Sequence, residues 1–194
     1  MYKKFLKRMM DIVLSIVGIL ALALPMLIIA VVVRIDSLGP ALFRQVRVGC
    51  DGKEFFMLKF RTMKMSAPHD TPTDKLDGAG TYVTRVGHFL RRSSLDEVPQ
   101  LFNILCGHMS FIGPRPALPS QTELLFMREQ NGASSLRPGL SGLAQINGRD
   151  LIDDTKKAQL DGEYAQRISF TLDVKCFFGT IKCVFSGDGF CDKK

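Results

Sequence analysis

The sequence predicts an α+β chain: an N-terminal membrane helix over residues 1–36, then a compact domain over residues 37–194 with a small β-hairpin and several helices. Three observations predict it. An uncharged aliphatic run opens the chain, two short alternating segments meet at a glycine-rich turn, and later stretches repeat their apolar residues every three or four positions.

From Ile12 to Val33 only Ser15, Gly18 and Pro25 interrupt the aliphatic residues, and as a helix this run extends about 33 Å, enough to cross a hydrocarbon core. A signal peptide would use Lys3 to Arg8 as its basic region and Ala21-Leu22-Ala23 as its cleavage site, but the run continues well past Ala23. Lys3, Lys4, Lys7 and Arg8 precede the run while Arg34, Arg44 and Arg47 follow it, so both ends carry the charge of a cytoplasmic face. Pro25 cannot donate to the Ala21 carbonyl and predicts a bend. A re-entrant helix that turns at Pro25 reconciles these facts, and a proline-kinked spanning helix remains open beside it. Arg8 and Asp11, three apart, are expected to pair on one helix face.

Leu42 to Val48 and Glu54 to Met63 read as strands joined through Gly49-Cys50-Asp51-Gly52. On the second, Phe56, Leu58 and Phe60 share one face; Lys59 and Arg61 share the other, facing either a phosphate or water. Ser66 to Gly80 reads as a mobile loop that could cover a site. Val98, Leu101, Phe102 and Leu105 follow helical spacing, with Gly107 as the stop. Pro119–Glu129 and Asp173–Phe185 are further helices, and the last lies either on a membrane surface or in the core.

The 26 Lys and Arg against 19 Asp and Glu give a net charge of +7, which suits phosphate-bearing partners. Five cysteines without a CxxC pair indicate neither a disulfide framework nor a zinc site. Walker, GxGxxG, HExxH and GxSxG motifs are absent, and His69, His88 and His108 are scattered.

Chemistry concentrates at Asp96 and Glu97. Two adjacent carboxylates can bind one hard divalent cation while an oxygen stays free to attack phosphorus. The bland alternative is a capping box, Ser94 with Glu97 three residues on, although Pro99 argues that the helix begins later. Arg115 stands between Pro114 and Pro116 after Gly113, where a stiffened backbone suits a guanidinium that grips phosphate. RPGLSGLAQINGR, Arg137 to Arg149, again mixes glycine, proline and terminal arginines. Charge and anchor alone leave open a non-catalytic, membrane-anchored basic module that binds anionic lipid or nucleic acid.

Taken together, KRMMD (Lys7–Asp11), LKFRTM (Leu58–Met63), SLDEVPQLFN (Ser94–Asn103), SFIGPRP (Ser110–Pro116) and RPGLSGLAQINGR resemble the monotopic phosphoglycosyl transferases, bacterial sugar transferases that initiate glycan assembly. The resemblance runs from about Phe5 to Asp173, in the family's order, and is to its small, minimal-unit type; larger relatives carry extra N-terminal spans. It implies a re-entrant helix in the bacterial inner membrane, with the catalytic domain facing the cytoplasm. It further implies transfer of a sugar 1-phosphate from a UDP-sugar to undecaprenyl phosphate, with release of UMP and no nucleic-acid partner.

By the same resemblance Asp96 is the nucleophile that forms a covalent phospho-sugar intermediate, and Glu97 assists at a Mg2+ site that both acids serve. Arg115 and Arg149 are implied to bind phosphate and nucleotide, Lys59 and Asp161 to lie near the active site, and Pro114 and Pro116 to shape it. The chain departs from close relatives in having Leu24, where they often have serine, before Pro25.

Overall fold

A computed structural model describes residues 2–68, 79–148 and 151–186. After a short π-helical turn, α1 runs from Lys7 to Asp36 as one helix with Pro25 inside it. It is long and apolar enough to cross a membrane, by length and composition.

One face of α1 is nevertheless spent on the rest of the chain. Asp11, Ser15 and Val33 are buried, Ile19 and Leu22 pack on the cluster around Phe55, Leu101 and Ile104, and Met26, Ile29 and Ala30 pack on the cluster of Val33, Phe60 and Leu90. These positions recur every three or four residues, so a stripe along nearly the whole helix is covered. Leu20, Leu24, Leu27 and Val31 on the remaining surface are exposed.

The strands β1 (Leu42–Val48) and β2 (Glu54–Phe60) form the expected antiparallel hairpin, in register from Leu42↔Phe60 to Val48↔Glu54. Its turn places Asp51 in the left-handed region at φ 55°, which an aspartate tolerates better than most residues. Phe56, Leu58 and Phe60 share one face of β2 as expected, and burial does not follow that division. Phe55 and Met57 are buried on the side that Lys59 shares, whereas Phe56 is 63% exposed. Both sides of β2 are partly covered, Phe55 by the stacked His108 ring and Phe60 by the C-terminal part of α1.

Short α2 (Ala79–Tyr82) and α3 (Arg85–Arg92) follow, and α4 (Gln100–Cys106) ends at Gly107 with φ 87°, as its glycine predicts. The loop expected over Ser66–Gly80 falls mostly on residues 69–78, outside the described residues. Strand β3 (Ser110–Ile112) leads to α5 (Thr122–Gln130), strand β4 (Gly139–Ser141), the single turn α6 (Leu143–Ile146), α7 (Asp154–Arg167) and α8 (Phe170–Ser186). β3 and β4 pair in parallel. On α8, Cys176 is fully buried while Phe177 and Phe178 are exposed, so that helix serves the core with one face and leaves an apolar face outside.

The charged residues of KRMMD fasten the start of α1 to this domain. Lys7 pairs with Asp173 at 2.6 Å, and Tyr2 and Tyr164 donate to the same carboxylate. The expected Arg8–Asp11 pair gives way to better partners. Arg8 donates to the carbonyls of Ile104 (2.6 Å) and Leu105 (2.8 Å), at the negative end of α4, and Asp11 accepts from Ser110 Oγ and the Phe111 amide. At the other end of α1, Asp36 accepts from the Val86 amide at the start of α3. Arg61, expected beside Lys59 at a phosphate or in water, is only 4% exposed and binds the Ser37, Leu38 and Pro40 carbonyls instead.

Candidate active site

The acid pair lies in a 3-10 turn, Leu95–Glu97, between α3 and α4. Ser94 ahead of it adopts φ 56°, ψ 16° and its side chain makes no cap, which corrects the capping-box alternative. Pro99 is the residue before α4, so the helix begins after both acids, where a missing N–H costs nothing. Asp96 and Glu97 are each 8% exposed.

Glu97 Oε1 accepts from Lys59 Nζ at 2.8 Å and from Arg115 Nη2 at 3.2 Å. One carboxylate thus joins β2, the turn and the SFIGPRP segment. Burial raises the Asp96 carboxyl above the usual range, with Lys59 pulling it back and Glu97 pushing it further up; Arg91 and Arg115 also favour its charged form. Burial lowers the Lys59 ammonium, against the upward pull of Glu97 and Asp96. Burial outweighs the mutual attraction on both groups, so each is shifted toward its neutral form in a partly dry place.

Lys59 reaches the pair because β2 is pinned edge-on to α4. Asn103 accepts from the Leu58 amide at 2.9 Å and donates to the Phe56 carbonyl at 2.7 Å. Sequence reasoning missed Asn103, although an amide between the buried Leu101 and Ile104 on one helix is a signal of such a clamp.

Arg115 is held by its backbone. Pro114 O accepts from the Gly139 amide at 2.7 Å, Pro116 O from Arg47, and Arg115 O from Arg128. The β3–β4 pairing lays SFIGPRP against RPGLSG, with Gly113 N bonded to Ser141 O at 2.8 Å. A Cβ on Gly139 or Gly142 would strike the Gly113 backbone, so these glycines are what the close approach requires.

Asp161 is not at the acid pair. It is 1% exposed and binds Arg128 through Oδ2, at 2.9 Å to Nε and 2.7 Å to Nη2. Its link to the site runs through Arg128 to the Arg115 carbonyl, and Arg128 is a second residue that sequence reasoning missed. Arg149 lies outside the described residues. Pro25 lies within α1 and is exposed.

A cavity of about 240 Å³ opens beside Glu97 and Arg115, walled by Leu22 of α1, Val98, Leu140 and Val184 of α8. Among the described residues no third His, Cys, Asp or Glu joins the acids in a metal-binding group. Asp96 accepts no hydrogen bond from a described side chain or amide, and two carboxylates fit a hard cation that completes its shell with phosphate and water oxygens.

The chain is similar to several bacterial proteins. A UDP-glucose:undecaprenyl-phosphate glucose-1-phosphate transferase of Xanthomonas campestris pv. campestris is 40% identical over 176 residues, covering 87% of this chain and 36% of that protein. The protein of the same description from Escherichia coli K12 is 38% identical over 185 residues, 92% of this chain and 40% of its own length. The chain thus spans less than half of either. Against the uncharacterized sugar transferase EpsL of Bacillus subtilis it is 37% identical over 190 residues, covering 95% of this chain and 89% of that one. The model of the bacterial sugar transferases matches residues 2–187, and the chain belongs to that family.

Proposed function

We propose that this chain is a phosphoglycosyl transferase that moves a sugar 1-phosphate from a UDP-sugar to undecaprenyl phosphate, as the first membrane step of glycan assembly. The observation that carries the reading is the buried Asp96–Glu97 pair, with Glu97 bonded to both Lys59 and Arg115. The names of the Xanthomonas and Escherichia relatives support the donor and acceptor classes.

In the reaction, an Asp96 carboxylate oxygen attacks the sugar-proximal phosphorus of the diphosphate. The bond from that phosphorus to the bridging oxygen breaks, and UMP leaves with the electron pair. An oxygen of the lipid phosphate then attacks the same phosphorus, and Asp96 departs as a free carboxylate. Burial leaves Asp96 poorly solvated and therefore reactive once charged, while Lys59 opposes the rise that burial imposes on its carboxyl. Arg115, fixed by its flanking carbonyls, is placed to receive a phosphate oxygen, and Arg149 is assigned a similar part from the family motif. Mg2+ held by Asp96 and Glu97 would offset negative charge on the diphosphate.

The domain belongs on the cytoplasmic side of a bacterial inner membrane, with α1 entering and leaving by one face. Fastening of both ends of α1 to one domain supports that re-entrant disposition.

The test is Asp96→Asn with radiolabelled UDP-sugar. Loss of transfer and of the labelled protein is expected; full activity would falsify the nucleophile assignment. Wild-type protein should release UMP before acceptor is added, and release only after acceptor would favour direct attack in a ternary complex. If no UDP-sugar is consumed with magnesium present and anionic-lipid binding survives Glu97→Ala, the chain is a binding module.

A further inference from the structure

Two polar side chains on the cavity wall have their hydrogen bonds unmade. Ser94 Oγ is buried without a partner, and Gln145, 7% exposed, has neither its Nε2 nor its Oε1 satisfied. Orphaned groups of this kind cost about 1–3 kcal/mol each, so several at one cavity point to a ligand. Both line the space that Glu97 and Arg115 also line.

The opposite wall is apolar. Leu22, Leu140 and Val184 form it, and it lies between the two helices whose outer faces are exposed and apolar, Leu20 and Leu24 on α1 and Phe177 and Ile181 on α8. At about 240 Å³ the cavity is smaller than the roughly 300–1,000 Å³ of pockets that enclose drug-sized ligands. A nucleotide sugar is too large and too polar for it. A phosphate on a hydrocarbon chain matches both ends.

We infer that this cavity is the acceptor site: the lipid phosphate sits between Arg115, Ser94 Oγ and the Gln145 amide, and its first isoprenoid carbons lie against Leu22, Leu140 and Val184. The inference rests on the transfer reaction proposed above. Gln145 serves as a donor through Nε2, and its Oε1 accepts from a protonated phosphate oxygen. α1 and α8 are then the two walls through which the chain passes to the bilayer. The acceptor oxygen attacks opposite Asp96, on the side that UMP has vacated, so one phosphorus is reached by two substrates in turn.

The experiment uses the full chain in lipid nanodiscs and a polyprenyl phosphate carrying a diazirine on its first isoprene unit. Irradiation is expected to label peptides containing Leu22 or Val184, and excess undecaprenyl phosphate to suppress the label. Label confined to other peptides overturns the assignment. In steady-state kinetics, Gln145→Leu, which adds no volume, and Val184→Trp, which fills the space, should each raise the acceptor KM about ten- to a hundredfold and leave the donor KM within about twofold. A rise in the donor KM instead, or no change in either, refutes the site. Labelling as expected by a wild-type protein that consumes no UDP-sugar keeps the lipid-phosphate site and removes the reaction; turnover with the label elsewhere does the reverse.

Discussion

Arg115 owes its place to Arg128, which bonds the Arg115 carbonyl at 2.9 Å while its own charge is spent on Asp161. Asp161 is nearly sealed, and burial raises its carboxyl despite the guanidinium beside it, so desolvation outweighs the attraction. Arg128→Met should therefore cost about 3–5 kcal/mol in urea unfolding by stranding a buried acid, and Asp161→Leu in the same chain should return most of it. Recovery of stability without recovery of transfer would show that Arg128 positions Arg115. The acids and Arg115 were readable from the sequence because adjacent carboxylates and a proline-flanked guanidinium are local patterns. Arg128 and Asn103 were not, since each acts through a backbone atom far along the chain. Cys176 gives a pH test on the same scale. Burial, then Asp173, pushes its thiol from 9.0 up to about 11. A group whose pKa is raised by folding adds stability that is full below pH 9 and lost as pH climbs to about 11. The stability difference between wild type and Cys176→Ala should shrink across that window, and a constant difference would contradict it.

Among the elements, the start of α4 was a contest between Ser94 as cap and Pro99 as breaker, and Pro99 prevailed. A capping serine needs extended backbone, whereas Ser94 is left-handed, and that turn is what brings both acids beside Lys59. The hairpin was readable because its register follows from alternation and a glycine turn. Which face of β2 is buried was not, because α1 and α4 cover it from both sides and periodicity describes only one. The β3–β4 pair was also invisible: three residues a side are too few for a strand pattern, and the glycines that permit it read only as loop. Gly139→Ala tests that pairing. Its Cβ would meet the Gly113 backbone, so a loss of about 1–3 kcal/mol is expected, lowering Tm by roughly 2–4 °C per kcal/mol. Transfer should fall with it as Arg115 shifts, and an unchanged Tm would mean that the two motifs can separate freely.

For the whole molecule, the sequence favoured a re-entrant α1 and left a spanning one open beside it, since apolar length and Pro25 serve both. Tertiary contacts support the re-entrant disposition proposed above on physical grounds. Lys7, Arg8 and Asp11 bind α8, α4 and β3, while Asp36 and the turn after it bind α3 and Arg61. A helix crossing the bilayer would leave one of these sets on the far side, parting either Asp11 from β3 or Asp36 and the turn after it from α3 and Arg61, and a broken buried charge contact costs several kcal/mol. The covered stripe from Asp11 to Val33 would be stripped as well. With α1 entering and leaving by one face, every contact stays made and the exposed Leu20, Leu24, Leu27 and Val31 meet lipid. Single cysteines at Lys3 and Leu38, both exposed, in a chain cleared of its own cysteines, measure this directly. In right-side-out spheroplasts a membrane-impermeant maleimide should reach neither, and in inverted vesicles both; labelling of one in each preparation would mean that α1 spans the membrane and that its fastening to the domain at one end is not kept there.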